Sequence, residues 1–209
     1  MLIFPDPAKF ERMPEGAFGK DEIAPDRRKT DRHIASYRPC CIWASGRFHL
    51  AIIRDYSTHG AKVEIDVDLE VGDEIFYFCD QRRSIRALVV WKGDGCVGIE
   101  NLEIKKLCSS THPSRSVRVP FEAQARVWHR QSMKLVSICN ISMGGMAVKG
   151  LEGVKRGELL SVESCGLTFV NASVRWCEDD LVGLRFSDKV RKERLAFILN
   201  EFQQPARAA

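Results

Sequence analysis

Two short stretches hold the side chains best suited to chemistry. R-K-T-D-R runs from Arg28 to Arg32, and D-Y-S-T-H-G from Asp55 to Gly60. Residues two apart on a strand share a face, so Asp55 and Ser57 set a carboxylate beside a hydroxyl. Gly60 permits a positive φ or a close backbone approach to a ligand. Such a corner can accept from the N–H edge of a base. Arg28 and Arg32 can face one ligand if their segment turns or wraps around it. A guanidinium reads guanine through O6 and N7. It also forks onto phosphate and stacks on flat rings. Together the two stretches suit a ligand that carries guanines and phosphates. Each alone has a plainer use: Asp and Ser satisfy backbone groups in turns, and a basic run can be a solvated arm.

The corner occurs twice. N-I-S-M-G-G, from Asn140 to Gly145, fits the same pattern, [Asp/Asn]-x-Ser-x-x-Gly. At the offset separating Asp55 from Asn140, Trp43 falls on Trp128, Gly72 on Gly157, Trp91 on Trp176 and Gly98 on Gly183. A gapless repeat of this length means one fold built twice. A chain of 209 residues accommodates two such units, each long enough to bury a core.

The elements that must position these residues read as strands. Runs rich in β-branched and aromatic residues, broken by Gly, Asp and Ser, cover Arg47–Asp55, Ala61–Val67, Glu74–Cys79, Ser84–Trp91 and Val97–Glu100. The second copy repeats the plan at Glu122–Trp128, Lys134–Cys139, Met146–Lys149, Leu159–Glu163, Leu167–Trp176 and Val182–Phe186. The spacing predicts an all-β fold. After Ser187 the period changes. Leu195, Ile198, Leu199 and Phe202 make one helix face, expected to pack as a lid on the second unit, with Ser187 or Asp188 as its cap. Residues 1–24 read as an N-terminal arm, 25–108 as the first domain and 112–205 as the second. The tryptophans that recur in register point to packing rather than base stacking.

Charge and cysteine usage narrow the function classes. Between Pro25 and Arg38 stand Arg27, Arg28, Lys29, Arg32 and Arg38 against Asp26 and Asp31. This local excess of cations favours a phosphate-bearing partner. The eight cysteines contain no C-x-x-C and no zinc-like spacing with histidine. Buried thiols in a reducing compartment are the expectation. The five histidines include no metal or triad spacing, although His59 lies within the motif loop and could touch a ligand. No metal, cofactor or enzymatic constellation is expected. The first residues lack the pattern of a signal peptide, and no apolar run reaches the roughly 18 residues needed to cross a bilayer. Cytoplasmic residence without membrane insertion follows as the expectation.

The paired motifs R-x-x-x-R and [D/N]-x-S-x-x-G resemble those of the PilZ domain, a family that binds cyclic di-GMP. The resemblance covers roughly residues 25–105 and 112–187. It implies two tandem six-stranded β-barrels, with the arginine segment wrapping ligand against the first barrel's outer surface. It assigns ligand contacts to Arg28, Arg32, Asp55, Ser57 and Gly60. Arg27, just before R-x-x-x-R, implies a stacked dimer of the nucleotide. The second copy departs from the pattern. If Arg118 takes the place of Arg32, Ser114 stands where its partner should be, and Arg115 is out of step by one. Arg118, Asn140, Ser142 and Gly145 thus form a weak second site or a purely structural barrel.

The resemblance implies a receptor, not an enzyme, that changes conformation on binding cyclic di-GMP and signals through an unidentified protein partner. A nucleotide-independent interaction scaffold is the alternative. A nucleic-acid binder is disfavoured by the single short basic cluster and the absence of an aromatic stripe on a basic face.

Overall fold

The computed structural model describes residues 37–79, 84–103 and 116–203. Twelve strands and one helix are seen among them. The first six are β1 (Arg38–Ala44), β2 (Arg47–Tyr56), β3 (Gly60–Glu64), β4 (Glu74–Phe78), β5 (Ile85–Gly93) and β6 (Cys96–Asn101). They close into an antiparallel barrel in the order β1-β2-β3-β6-β5-β4. The next six are β7 (Val119–His129), β8 (Ser132–Ser142), β9 (Gly145–Lys149), β10 (Leu159–Ser164), β11 (Leu167–Glu178) and β12 (Leu181–Arg185). They close in the equivalent order. The repeat is therefore one topology used twice.

Alternation along each strand fills each interior. Ile42, Ala51, Ile53, Val63, Ile75, Tyr77, Ala87 and Val89 are wholly buried in the first barrel, as inward positions of a small closed barrel must be. The β1 strand, absent from the strands expected above, begins R-P-C-C. Pro39 near the strand start is tolerated there. The expected run Ala61–Val67 stops at Glu64.

Both barrels break the alternation at the same two places. The pairing of β2 with β3 shifts between Ile53 and Asp55, and that of β8 with β9 between Ile138 and Asn140. The pairing of β5 with β6 shifts between Val89 and Trp91, and that of β11 with β12 between Val174 and Trp176. Each shift is a β-bulge, which re-aims the side chains that follow it.

Helix α1 (Lys192–Phe202) differs from the expected lid. It lies against β2 of the first barrel. Its buried residues Leu195, Ile198 and Leu199 join a cluster that holds Val119, Phe121 and Phe186 of the second unit and Cys41, Leu50 and Phe78 of the first. The helix is thus a wedge between barrels. Phe202 sits on the solvent side, 43% exposed. The N-cap is Arg191, with no side-chain cap. Ser187 instead donates its hydroxyl to the Val170 carbonyl, 3.0 Å away, and so secures the loop to β11.

Polar bonds reinforce the wedge. The Phe48 N–H donates to Gln203 Oε1 at 2.9 Å, and Gln203 Nε2 donates to the Pro120 carbonyl at 3.3 Å. One glutamine side chain therefore spans the two units. Lys192 Nζ lies 3.4 Å from Glu64 Oε1, and Glu64 also pairs with Arg54. Burial pushes the Glu64 carboxyl up, but its bonds to Arg54 and Lys192 outweigh this and hold it below its ordinary 4.5. A carboxyl whose pKa is depressed by folding adds stability above its unfolded pKa and loses it as pH falls through the folded one. Glu64→Gln is expected to flatten the acid side of the stability–pH curve, measured by urea unfolding at stepped pH. A curve parallel to wild type would remove Glu64 from the inter-barrel contact.

Candidate functional site

The bulge at Arg54 decides where the motif points. Ile53 faces the interior and pairs with inward Val63. Two residues later Asp55 would also face inward. The shift instead sets Asp55 opposite Lys62, whose side chain points outward and is exposed. Lys62 pairs with Gly98, and Gly98 with Trp91, placed outside by the matching bulge in β5. A row thus crosses the outer wall over four strands: Asp55, Lys62, Gly98, Trp91. Lys62 Nζ lies 5.5 Å from the centre of the Trp91 ring, within cation–π range.

The turn after Asp55 is held from below. The Ser57 N–H donates to the Gly60 carbonyl at 2.8 Å, and the His59 N–H to Ser57 Oγ at 3.2 Å. Asn101 at the end of β6 anchors the loop. Its backbone N–H donates to the His59 carbonyl at 2.7 Å and its Nδ2 to the Thr58 carbonyl at 3.1 Å. Its Oδ1 accepts from the buried Tyr77 hydroxyl at 2.9 Å. Burial, partly offset by this bond, raises the Tyr77 pKa, so the phenol stays a donor. Tyr77 and Asn101 therefore tie the motif loop to the barrel interior.

Gly60 serves the barrel itself. Its φ is not positive, and an added Cβ would strike the Ile99 carbonyl on β6. Gly145 is the same: its Cβ would strike the Leu184 carbonyl on β12. The motif glycine allows two strands of the barrel to approach. The tryptophans pack, as their register predicts. Trp91 lies across Gly98 and Trp176 across Gly183, filling the space a side chain would take. An aromatic that covers a cross-strand glycine supports the strand pair. This packing is on the outer wall, and Trp91 remains 41% exposed.

The second corner keeps the backbone and loses the opening. Its equivalent row is Asn140, Ala147, Gly183, Trp176. Ala147 replaces Lys62 and is wholly buried, Asn140 is 1% exposed and Ser142 5%. Ser142 Oγ donates to the Gly145 carbonyl at 3.1 Å. The Met143 and Gly144 carbonyls accept from the backbone of Val190 and Phe186, at 2.8 and 3.0 Å. Both amide atoms of Asn140 are without a hydrogen-bond partner. By contrast Asp55, Ser57 and Gly60 are half-buried and His59 is exposed.

Arg118 is half-buried, one residue before β7. Arg27, Arg28, Arg32, Ser114 and Arg115 lie outside the described residues. Tyr37, the first described residue after the arginine segment, has the Arg54 guanidinium over its ring at 4.1 Å. Lys62, which sequence reasoning did not single out, and Trp91, which it assigned to packing, share the outer row with Asp55. The repeat offset carried the signal for Lys62, since it falls on Ala147.

No group of three metal-ligating side chains is present among the described residues. No helix among them is long and apolar enough to cross a membrane.

Two closed barrels that share two bulges, one bearing an open polar row, define a duplicated β-barrel protein. The chain matches the PilZ domain over residues 26–106 and again over 113–200, and it belongs to that family. No curated protein matches it. Solved structures similar to it include the Bacillus subtilis inhibitor of motility MotI/DgrA, at 14% identity over 80% of this chain and 96% of that one, TM-score 0.36. They also include PlzA of Borreliella burgdorferi in complex with c-di-GMP, at 11% identity over 80% and 87%, TM-score 0.32. A third is YcgR of Escherichia coli in complex with c-di-GMP, at 12% identity over 78% and 84%, TM-score 0.34.

Because the glycine serves the barrel in both copies, Gly60→Ala and Gly145→Ala should destabilise by comparable amounts, roughly 1–3 kcal/mol in the range of overpacked sites. Urea midpoints measure this. A neutral Gly145→Ala would return the motif glycine to a ligand role.

Proposed function

We propose that the first barrel is a receptor for cyclic di-GMP. The observation that carries this reading is the asymmetry of the two outer rows. The first is open and holds a carboxylate, a lysine and an indole face; the second is closed and has alanine in the lysine's place. R-R-K-T-D-R, Arg27 to Arg32, stands before the open one, whereas at the corresponding place before the closed one Arg118 has Ser114 for a partner; membership of the PilZ family supports the ligand class. In this reading Arg28 and Arg32 clamp guanine and phosphate, Arg27 favours a stacked nucleotide dimer, and Asp55 and Ser57 meet a guanine edge. Gly60 keeps the corner in shape. Lys62 adds a cation for phosphate, and Trp91 a flat surface. Asn140, Ser142, Gly145 and Arg118 form the inherited scaffold of a barrel that takes no nucleotide.

The signal is proposed to pass through the wedge. Tyr37 touches Arg54, Arg54 pairs with Glu64, and Glu64 reaches Lys192 on α1. Nucleotide that fixes the arginine segment would bias this chain of contacts and the seating of the second barrel. Such a shift requires that the ligand favour one arrangement over the other. The output is a protein partner, and the setting is the cytoplasm, where an intracellular nucleotide is met. One observation favours a nucleotide-independent scaffold: the serine's local turn bond recurs in the closed corner.

Calorimetric titration with cyclic di-GMP separates the two readings. Wild-type protein should bind at micromolar affinity or better, while Arg28→Ala and Arg32→Ala abolish binding and Arg118→Ala leaves it unchanged. A flat wild-type titration selects the scaffold. Lys62→Ala should weaken binding about tenfold, ~1.4 kcal/mol. An unchanged Kd would take Lys62 out of the site.

A further inference from the structure

The first barrel also carries a pair of thiols that no nucleotide chemistry uses. Strands β1 and β4 pair as Trp43 with Phe76, Ile42 with Tyr77 and Cys41 with Phe78. The ladder ends there with β4; the same register carried one step further sets Cys79, the next residue, against Cys40, and the two thiols are near enough to act on one another electrostatically. Directly opposed residues in an antiparallel pair have Cα atoms about 4.5–5.5 Å apart, inside the roughly 4.4–6.8 Å range that a disulfide spans.

The side chains face the same way. Cys40 belongs to the interior cluster of the first barrel, with Ile42 and Tyr77, and Cys79 packs against that cluster. Cys41 and Phe78 point to the opposite side and join the inter-barrel cluster. Alternation thus pairs Cys40 with Cys79 and turns Cys41 away. Exposure then divides the chemistry. Cys40 is wholly buried, whereas Cys79 is half-buried at the barrel's end. Burial, reinforced by the neighbouring Cys79 and Cys41 thiols, pushes the Cys40 thiol up.

We propose that Cys79 and Cys40 form a reversible oxidation site, with Cys79 oxidised first by a peroxide and Cys40 resolving it to a cross-strand disulfide. The Cys79 thiolate attacks one peroxide oxygen; an S–O bond forms, the O–O bond breaks and hydroxide leaves. The Cys40 sulfur then attacks the Cys79 sulfur. The S–S bond forms, the S–O bond breaks, and the departing hydroxide takes the Cys40 proton as water. Two thiols are oxidised, and one hydrogen peroxide is reduced to two waters. This use of thiols is the one common in reducing compartments, where disulfides are transient and sense oxidant. The bond would staple the start of β1 to the end of β4. The proposal stands on register and facing, and is independent of the nucleotide reading.

The test is titration of the full reduced chain with hydrogen peroxide, followed by thiol counting and peptide mass mapping without reductant. The expected result is loss of two of the eight thiols, a linkage between the peptides holding Cys40 and Cys79, and full recovery with dithiothreitol. Cys79→Ser, a near-isosteric change at a half-buried position, should abolish the linkage. Cys41→Ala should keep it. Fragment-ion sequencing of the wild-type linkage assigns Cys40 over Cys41 even if that variant does not fold. An unchanged thiol count, a linkage of Cys79 to any other cysteine, or Cys79 accumulating as sulfinic acid without linkage would each overturn the proposal.

Discussion

Strict alternation in a closed barrel would send Asp55 inward with Ile53. One extra residue, Arg54, prevents this. A carboxylate inside a small dry barrel would have to be neutralised or paired, so the bulge is a condition for the barrel as well as for the site. Once Asp55 is outside, the rest is fixed by pairing. Lys62 lies across from it, Gly98 across from Lys62, and Trp91 covers Gly98 because β5 carries a second bulge. The outer row is therefore a property of register, not of loops.

The same register explains how one copy can lose its opening and keep its fold. Nothing in the barrel needs Lys62. Alanine at the equivalent position, Ala147, is buried without disturbing the Gly145 contact, the Ser142 bond or the Trp176–Gly183 cover. The two copies share the glycine and serine; they part at the lysine and at the upstream arginines of the sequence. Asn140, buried with its amide unpartnered, is the residue for which closure is least comfortable. A buried amide without a partner costs about 1–3 kcal/mol.

Much of this was legible in the chain itself. The repeat offset placed strands in both copies, and the change from period two to a helical period located α1. The bulges were hidden, because a bulge is a relation between two strands and is invisible in either one alone. Thus Asp55 and Ser57 could be named but not aimed. The strand contact at Gly60 was hidden for the same reason: its neighbour, the Ile99 carbonyl, is some forty residues away. Position 195 and its partners showed an apolar face, yet periodicity cannot say what covers it. The face was assigned to the second barrel alone, whereas the cover includes Cys41, Leu50 and Phe78 of the first. Lys62 was within reach, had the two copies been compared residue by residue.

The hydrophobic cluster beneath α1 has a consequence for how such a chain can change over generations. Leu50 and Phe78 of the first barrel are buried in one cluster with residues of the second barrel and its helix. Excision of the second copy would bare an apolar wall on the first, an aggregation liability. A duplicate that has surrendered its own polar row is therefore not redundant. It has become the other copy's shelter, and selection acts on the pair as a single inheritance.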